Sequence, residues 1–65
     1  MELLGTRAAS SFLGIPEATL RYWRYANQGP PSFKIGGRLV YRRDELVRWV
    51  AEQEKATRRG GEVAV

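Results

Sequence analysis

The chain has 65 residues, and its 11 lysines and arginines outnumber 7 acidic residues, which gives a formal net charge of +4. It contains neither cysteine nor histidine, so disulfides, thiolate metal sites and the usual general base are excluded. We therefore expect no metal, no cofactor and no catalytic residue, but one small basic domain that favours polyanions.

Nothing in the chain predicts a membrane or a secreted protein. The longest apolar runs are only a few residues long, which is too short to span a bilayer. The first four residues lack the basic start of a secretory signal. We therefore expect a cytoplasmic protein.

A short first helix is predicted over residues 5–13, with Gly5 or Thr6 at its N-cap. Gly14 can adopt the left-handed conformation that ends a helix. Three apolar residues share one face at i, i+3 and i+4 spacing and should face the core: Ala9, Phe12 and Leu13.

The second helix is predicted to begin at Pro16, whose fixed φ and missing N–H suit a helix start, and to run to about Ala26 or Asn27. Glu17 complements the helix dipole in the first turn. Residues 27–32 then form a dense cluster of helix breakers. Because only about three residues separate the two helices, they should form a helix-turn-helix corner.

The second helix has an inner and an outer side. Leu20 and Trp23 fall on the inner side, where a tryptophan supplies much of the apolar area that a small core needs. Arg24 falls at the flank and is also predicted to contact DNA. The outer side carries a small residue, a guanidinium and two phenols: Ala18, Arg21, Tyr22 and Tyr25.

This outer side has the composition of a DNA-recognition surface. A small residue near the helix start allows close approach to base edges, and Arg21 can reach a guanine or a phosphate. The phenols of Tyr22 and Tyr25 can hydrogen-bond phosphates and so set the register on DNA. For these two tyrosines, ordinary amphipathic packing is the alternative.

A β-hairpin is predicted from two short β-prone runs, residues 33–35 and 39–41, on either side of Gly36 and Gly37. A glycine pair permits the positive φ angles of a two-residue turn. Alternation predicts two faces. The face that covers the third helix should carry Phe33, Ile35, Leu39 and Tyr41, and the outer face should carry Lys34, Arg38 and Val40.

The hairpin is basic beside its tip and at its far end, which suits the wing of a DNA-binding domain. The glycine tip lets backbone amides approach phosphates, and Arg38 can enter a narrow minor groove. Arg42 and Arg43 either grip phosphates or solvate the start of the next helix. The alternative is a hairpin that only caps the core, with solvated charges.

A third helix is predicted from Arg43 or Asp44 to about Ala56. The resulting fold is mostly α with a small β-hairpin, a winged helix-turn-helix domain over residues 1–56, with a flexible tail over 57–65. The inner face of the third helix should carry Leu46, Trp49, Val50 and Gln53. The basic residues expected to be solvated surface are Arg48, Lys55, Arg58 and Arg59.

Four segments carry a resemblance to a known family: 3–15, 18–23, 34–38 and 43–46. Over about residues 3–53 the chain resembles the excisionase/AlpA family, a compact branch of the MerR-like winged-helix proteins. The sequence departs from the family pattern at Pro16, where a Ser or Thr N-cap is frequent, and at Val40, where a second wing arginine is common. The resemblance implies DNA contacts by Ala18, Arg21, Tyr22, Lys34, Gly37 and Arg38.

The resemblance also implies a function. Such a protein is a phage recombination directionality factor that binds double-stranded DNA beside an attachment site in a bacterial host and has no catalytic step. It would bend the DNA as several cooperative copies and direct a phage integrase toward excision. The alternatives are a small transcriptional regulator on the same fold, or a winged domain that docks a protein partner.

Overall fold

The computed structural model describes residues 2–60, which form three helices and one antiparallel sheet. The elements in chain order are β1 (Leu3–Gly5), α1 (Thr6–Leu13), α2 (Glu17–Tyr25), β2 (Phe33–Ile35), β3 (Arg38–Arg42) and α3 (Arg43–Thr57). The predicted order of two helices, a hairpin and a third helix is confirmed, and the fold is a winged helix-turn-helix. The last five residues of the predicted tail lie outside the described residues.

Strand β1 is the element that the sequence analysis missed. It pairs antiparallel with β3, so that the sheet order is β1-β3-β2 and Leu4 lies opposite Tyr41. The backbone N–H of Arg43 extends this contact by donating to the Glu2 carbonyl at 2.9 Å. Three residues that end in glycine carry little strand signal of their own, because strand formation depends on the neighbouring strand.

The corner between α1 and α2 follows the predicted pattern. Gly14 ends α1 with a φ of 71°, and its N–H donates to the Ser10 carbonyl at 2.8 Å. The Ser10 hydroxyl then donates to the Ile15 carbonyl at 2.6 Å. Pro16 occupies the N-cap position in an extended conformation, so that α2 begins one residue later than predicted, at Glu17.

The core lies where three helices meet the central strand. One fully buried residue comes from each of α1, α2, β3 and α3: Ala9, Leu20, Tyr41 and Leu46. Five partly buried side chains surround them: Leu4, Leu13, Ile15, Trp23 and Leu39. Every element of the helix-turn-helix and the wing's central strand thus contributes to one small apolar cluster.

Some residues predicted for the core are at the surface instead. Phe12 is 40% exposed, and the Arg43 guanidinium covers its ring at 5.1 Å. On α3, Leu46 and Trp49 face inward as predicted, whereas Val50 is 41% exposed and Gln53 is exposed. The reason is that the second half of α3 extends past the body of the domain, where residues 51–57 are all exposed.

The connection between α2 and the wing packs back on the second helix. The N–H of Gln28 donates to the Trp23 carbonyl at 2.7 Å, and Gly29 has a φ of 78°. A Cβ at Gly29 would lie 2.8 Å from Cε3 of Trp23, so the indole needs a glycine there. Trp23 in turn contacts Trp49 with ring centroids 5.8 Å apart, which joins this connection to α3.

Candidate nucleic-acid interface

Helix α2 turns a continuous polar and aromatic face to solvent. Leu20 and Trp23 face the core, and the five residues predicted for DNA contact on this helix are all exposed: Ala18, Arg21, Tyr22, Arg24 and Tyr25. The exposed fractions of Tyr22 and Tyr25 are 62% and 88%. Ordinary packing of these two phenols, the alternative left open by the sequence, is therefore wrong.

A groove of about 330 Å³ runs between α2 and the wing. Arg21, Arg24 and Tyr25 line it from the helix, and Lys34 and Gly37 line it from the hairpin. Thr6 and Leu39 complete its walls. The fold thus brings three cationic side chains from two separate segments of the chain to one concave surface, which we call the helix–wing groove.

The glycine turn at the wing tip forms as predicted, with φ angles of 54° at Gly36 and 85° at Gly37. Both glycines are exposed. Because the turn has two residues, Ile35 lies directly opposite Arg38, and Lys34 lies opposite Leu39. Directly opposed residues of an antiparallel pair share a face.

The predicted division of the hairpin into two faces is therefore wrong in part. Lys34 shares the inner face with Leu39 and Tyr41, toward α2. The outer face carries Arg38 and Val40, as predicted, but Phe33 and Ile35 lie there with them. The prediction assumed that odd-numbered residues share one face in both strands. The two-residue turn instead pairs each odd-numbered residue of β2 with an even-numbered residue of β3.

Arg38 lies on the side of the wing that faces away from the helix–wing groove. A Cβ placed on Gly5 of β1 would be 3.6 Å from an Nη atom of Arg38, which shows that this guanidinium reaches over the neighbouring strand. Arg38 is exposed. The structure thus places Lys34 and Arg38, predicted as one pair, on opposite sides of the wing.

Arg42 and Arg43 contact the protein itself and do not line the helix–wing groove. The Arg42 guanidinium lies 5.5 Å from the centre of the Phe33 ring. Arg43 covers Phe12, and its Nε lies 3.6 Å from a carboxylate oxygen of Glu2. Both arginines thus hold strand and helix ends together, while their contact with phosphates stays a prediction.

Arg24 has a structural contact that the sequence analysis missed. One of its guanidinium nitrogens donates to the Ser32 carbonyl at 3.1 Å and to the Ser32 hydroxyl at 2.9 Å. Ser32 directly precedes β2. Arg24 therefore links the end of α2 to the start of the wing.

Comparison with known proteins agrees with this architecture. The family model described as a helix-turn-helix domain matches residues 3–54, which is most of the chain. The chain belongs to the helix-turn-helix domain family. Neither the curated proteins nor the solved structures gave a match. Membership of this family supports DNA as the partner of the domain.

The helix-turn-helix domain carries a second group of charges around Glu17, a residue that the sequence analysis assigned only to the helix dipole. One carboxylate oxygen of Glu17 lies 3.0 Å from an Nη atom of Arg21, and the other lies 3.9 Å from Nε of Arg7. The i, i+4 spacing of Glu17 and Arg21 is the signal that could have identified this pair. Arg7 was missed because it comes from α1.

Two positive charges of α2 affect the pKa of Tyr41 in the core of the helix-turn-helix domain. Burial raises the pKa of Tyr41 above its ordinary value of 10.0, whereas the positive charges of Arg24 and Arg21 lower it. Burial is the larger effect. Two cations of the exposed face therefore lie close enough to affect a phenol at the centre of the core.

Within residues 2–60 no group of acidic side chains is arranged to hold a metal ion. No helix in the same range is long and apolar enough to cross a bilayer.

Proposed function

We propose that this helix-turn-helix domain is an excisionase-type DNA-binding factor. It binds sequence-specifically beside an attachment site, bends the DNA as several cooperative copies, and directs a phage integrase toward excision in the bacterial cytoplasm. The observation that carries the DNA-binding part is the joint exposure of the α2 face and Lys34 around the helix–wing groove.

In this proposal α2 enters the major groove. Ala18, near the helix start, lets the backbone approach the bases, and Arg21 donates to the O6 and N7 atoms of a guanine. Tyr22 and Tyr25 hydrogen-bond phosphates through their hydroxyls. Arg24 acts mainly by holding the wing at a fixed distance from α2.

The wing contacts the backbone beside the site read by α2. Lys34 meets a phosphate from inside the helix–wing groove, and the amides of Gly36 and Gly37 approach the same strand. Arg38, on the outer side, reaches the flanking minor groove, where a narrow groove concentrates negative potential. Arg42 and Arg43 add backbone contacts at the far end of the hairpin.

Two observations support the excisionase role, although a transcriptional regulator would need the same DNA-binding surface. The helix-turn-helix family includes small DNA-binding proteins of the excisionase type, and the 34–38 wing segment resembles theirs. In addition, a domain of this size makes few contacts, so that strong occupancy of a site requires cooperation between adjacent copies.

Footprinting on the DNA that flanks the protein's own gene tests the proposal. Several regularly spaced protected sites, together with a bend seen in a permuted-site gel shift, are expected. One protected site over a promoter, without a bend, would instead support a transcriptional regulator. Equal binding of the wild type and Arg21→Ala to all duplexes would contradict DNA recognition and favour a protein-docking domain.

A further inference from the structure

Glu17 places a negative charge beside Arg21, at the start of the α2 face proposed to meet DNA. Its carboxylate lies between Arg21 on the same helix and Arg7 on α1, at 3.0 and 3.9 Å. The exposed fractions of the three side chains are 36% for Glu17, 61% for Arg21 and 92% for Arg7. Glu17 is thus the least exposed of the three and is contacted on both carboxylate oxygens.

The geometry of the pair constrains Arg21. Helical side chains lean toward the N-terminus, so Glu17, one turn earlier, holds the Arg21 side chain along the start of α2. Only one Nη atom of Arg21 contacts the carboxylate. Since a guanidinium has five N–H donors, an edge of Arg21 stays available for the two acceptors of a guanine.

The fold itself gains little from this pair. Exposed ion pairs contribute little to folding stability because solvent screens them and two long side chains lose freedom. On a DNA-facing surface, however, a carboxylate repels every phosphate, whatever the sequence. A surface that bound DNA by charge alone would bind more tightly without Glu17.

We infer that Glu17 is a positioning residue that holds Arg21 for base reading and makes the domain selective. This inference rests on the proposed DNA-binding function and goes beyond it by assigning a source of selectivity. The charge of Glu17 weakens binding to every duplex. Where Arg21 meets its preferred base, the position that Glu17 gives it strengthens binding, because a pre-positioned side chain loses less freedom on binding. Arg7 holds the second carboxylate oxygen and so limits rotation of Glu17.

Removal of the Glu17 charge tests the inference. The duplex enriched by the wild type from a random-sequence pool, and a shuffled version of it, serve as probes in a titration followed by fluorescence anisotropy. Glu17→Gln should bind the shuffled duplex about 3- to 10-fold more tightly, and the ratio of the two affinities should fall about 10-fold. The matched control, Glu52→Gln on α3, removes the same charge and should keep the ratio.

Two further variants separate positioning from charge. Glu17→Asp keeps the charge but shortens the reach to Arg21, so it should lose about 3- to 10-fold in affinity for the enriched duplex and bind the shuffled one as the wild type does. In an Arg21→Ala background, Glu17→Gln should strengthen binding to both duplexes equally. Circular dichroism melts check that each variant is folded.

Two results would overturn the inference while leaving DNA recognition intact. The first is an unchanged affinity ratio in both Glu17 variants. The second is the same loss of selectivity with and without Arg21, which would mean that Glu17 reads a base by itself. A wild type that enriches no sequence, with an affinity unaffected by Arg21→Ala, would overturn the proposed function as well.

Discussion

Arg21 and Arg24 lie three residues apart on α2, yet the structure gives them different partners. Arg21 is held by a carboxylate on its own helix and keeps most of its surface exposed. Arg24 donates two hydrogen bonds to Ser32 at the start of the wing. At the scale of single residues, the two guanidinium groups differ in whether they contact their own helix or join it to the wing.

Arg21→Ala should weaken binding to the specific site by about 1–3 kcal/mol, because one guanine contact is lost, and should relax the preference for that base. Binding of selected and single-base-altered duplexes measures the effect. Arg48→Ala, on the exposed side of α3, is the matched control and should bind as the wild type does. An equal loss in both variants would argue against Arg21 as a base reader.

Tyr41 predicts an alkaline limit to stability. Because burial raises its pKa, the phenol ionises near pH 10.0 in the unfolded chain but only at higher pH in the folded one. Its contribution is therefore fully present below pH 10 and is lost as the pH rises from there through the raised folded pKa.

Urea denaturation across this range should show a steeper fall in the free energy of unfolding for the wild type than for Tyr41→Phe. Tyr25→Phe changes an exposed phenol and should keep the wild-type profile. Identical profiles for the wild type and Tyr41→Phe would contradict the buried phenol as the cause.

At the scale of elements, the register of the two-residue turn places basic side chains on both sides of the wing. Lys34 faces α2 across the helix–wing groove, whereas Arg38 reaches over β1 on the opposite side. Strand β1 makes β3 the centre of a three-stranded sheet. The hairpin is therefore supported along its length by a strand from the start of the chain.

Lys34→Ala and Arg38→Ala should each reduce the magnitude of the slope of log affinity against log salt by about one, because each removes one cation that displaces counterions from the DNA. Titrations at several salt concentrations measure the slope. Lys55→Ala, near the end of α3, is the control and should leave it unchanged. A changed slope for one wing variant alone would mean that only that side of the wing contacts the DNA.

At the scale of the whole molecule, the stability of the domain depends on very few side chains. Four fully buried residues, one from each of four elements, hold the described part of the chain together. A domain of this size has a small stability margin. Loss of one of these contacts should therefore affect the exposed face of α2 as well as the core.

Leu46→Ala should lower the free energy of unfolding by about 2–5 kcal/mol because it leaves a cavity between α3 and the sheet. A loss of that size is comparable to the total stability of a small domain, so DNA binding should weaken as well. Urea denaturation measures the change. Val50→Ala, partly exposed on the same helix, is the control; an equal effect there would contradict the central role of Leu46.

The sequence predictions were correct for features that depend on residues close together in the chain. The Gly14 helix end, the Pro16 start and the Gly36–Gly37 turn were predicted because they depend on residues a few positions apart. The two sides of α2 followed from helical periodicity and were confirmed by the exposure of Tyr22 and Tyr25. For these features the local chain geometry is sufficient.

The sequence by itself determined the three helices, the corner, the glycine turn and the exposed face of α2, because backbone preferences and helical periodicity act locally. Only the tertiary structure decided that Leu3–Gly5 becomes a strand, that Lys34 and Arg38 face opposite ways, and that Arg24 holds Ser32. These contacts depend on strand pairing and packing between different segments of the chain. The pattern of residues along the sequence does not specify which segments will pair.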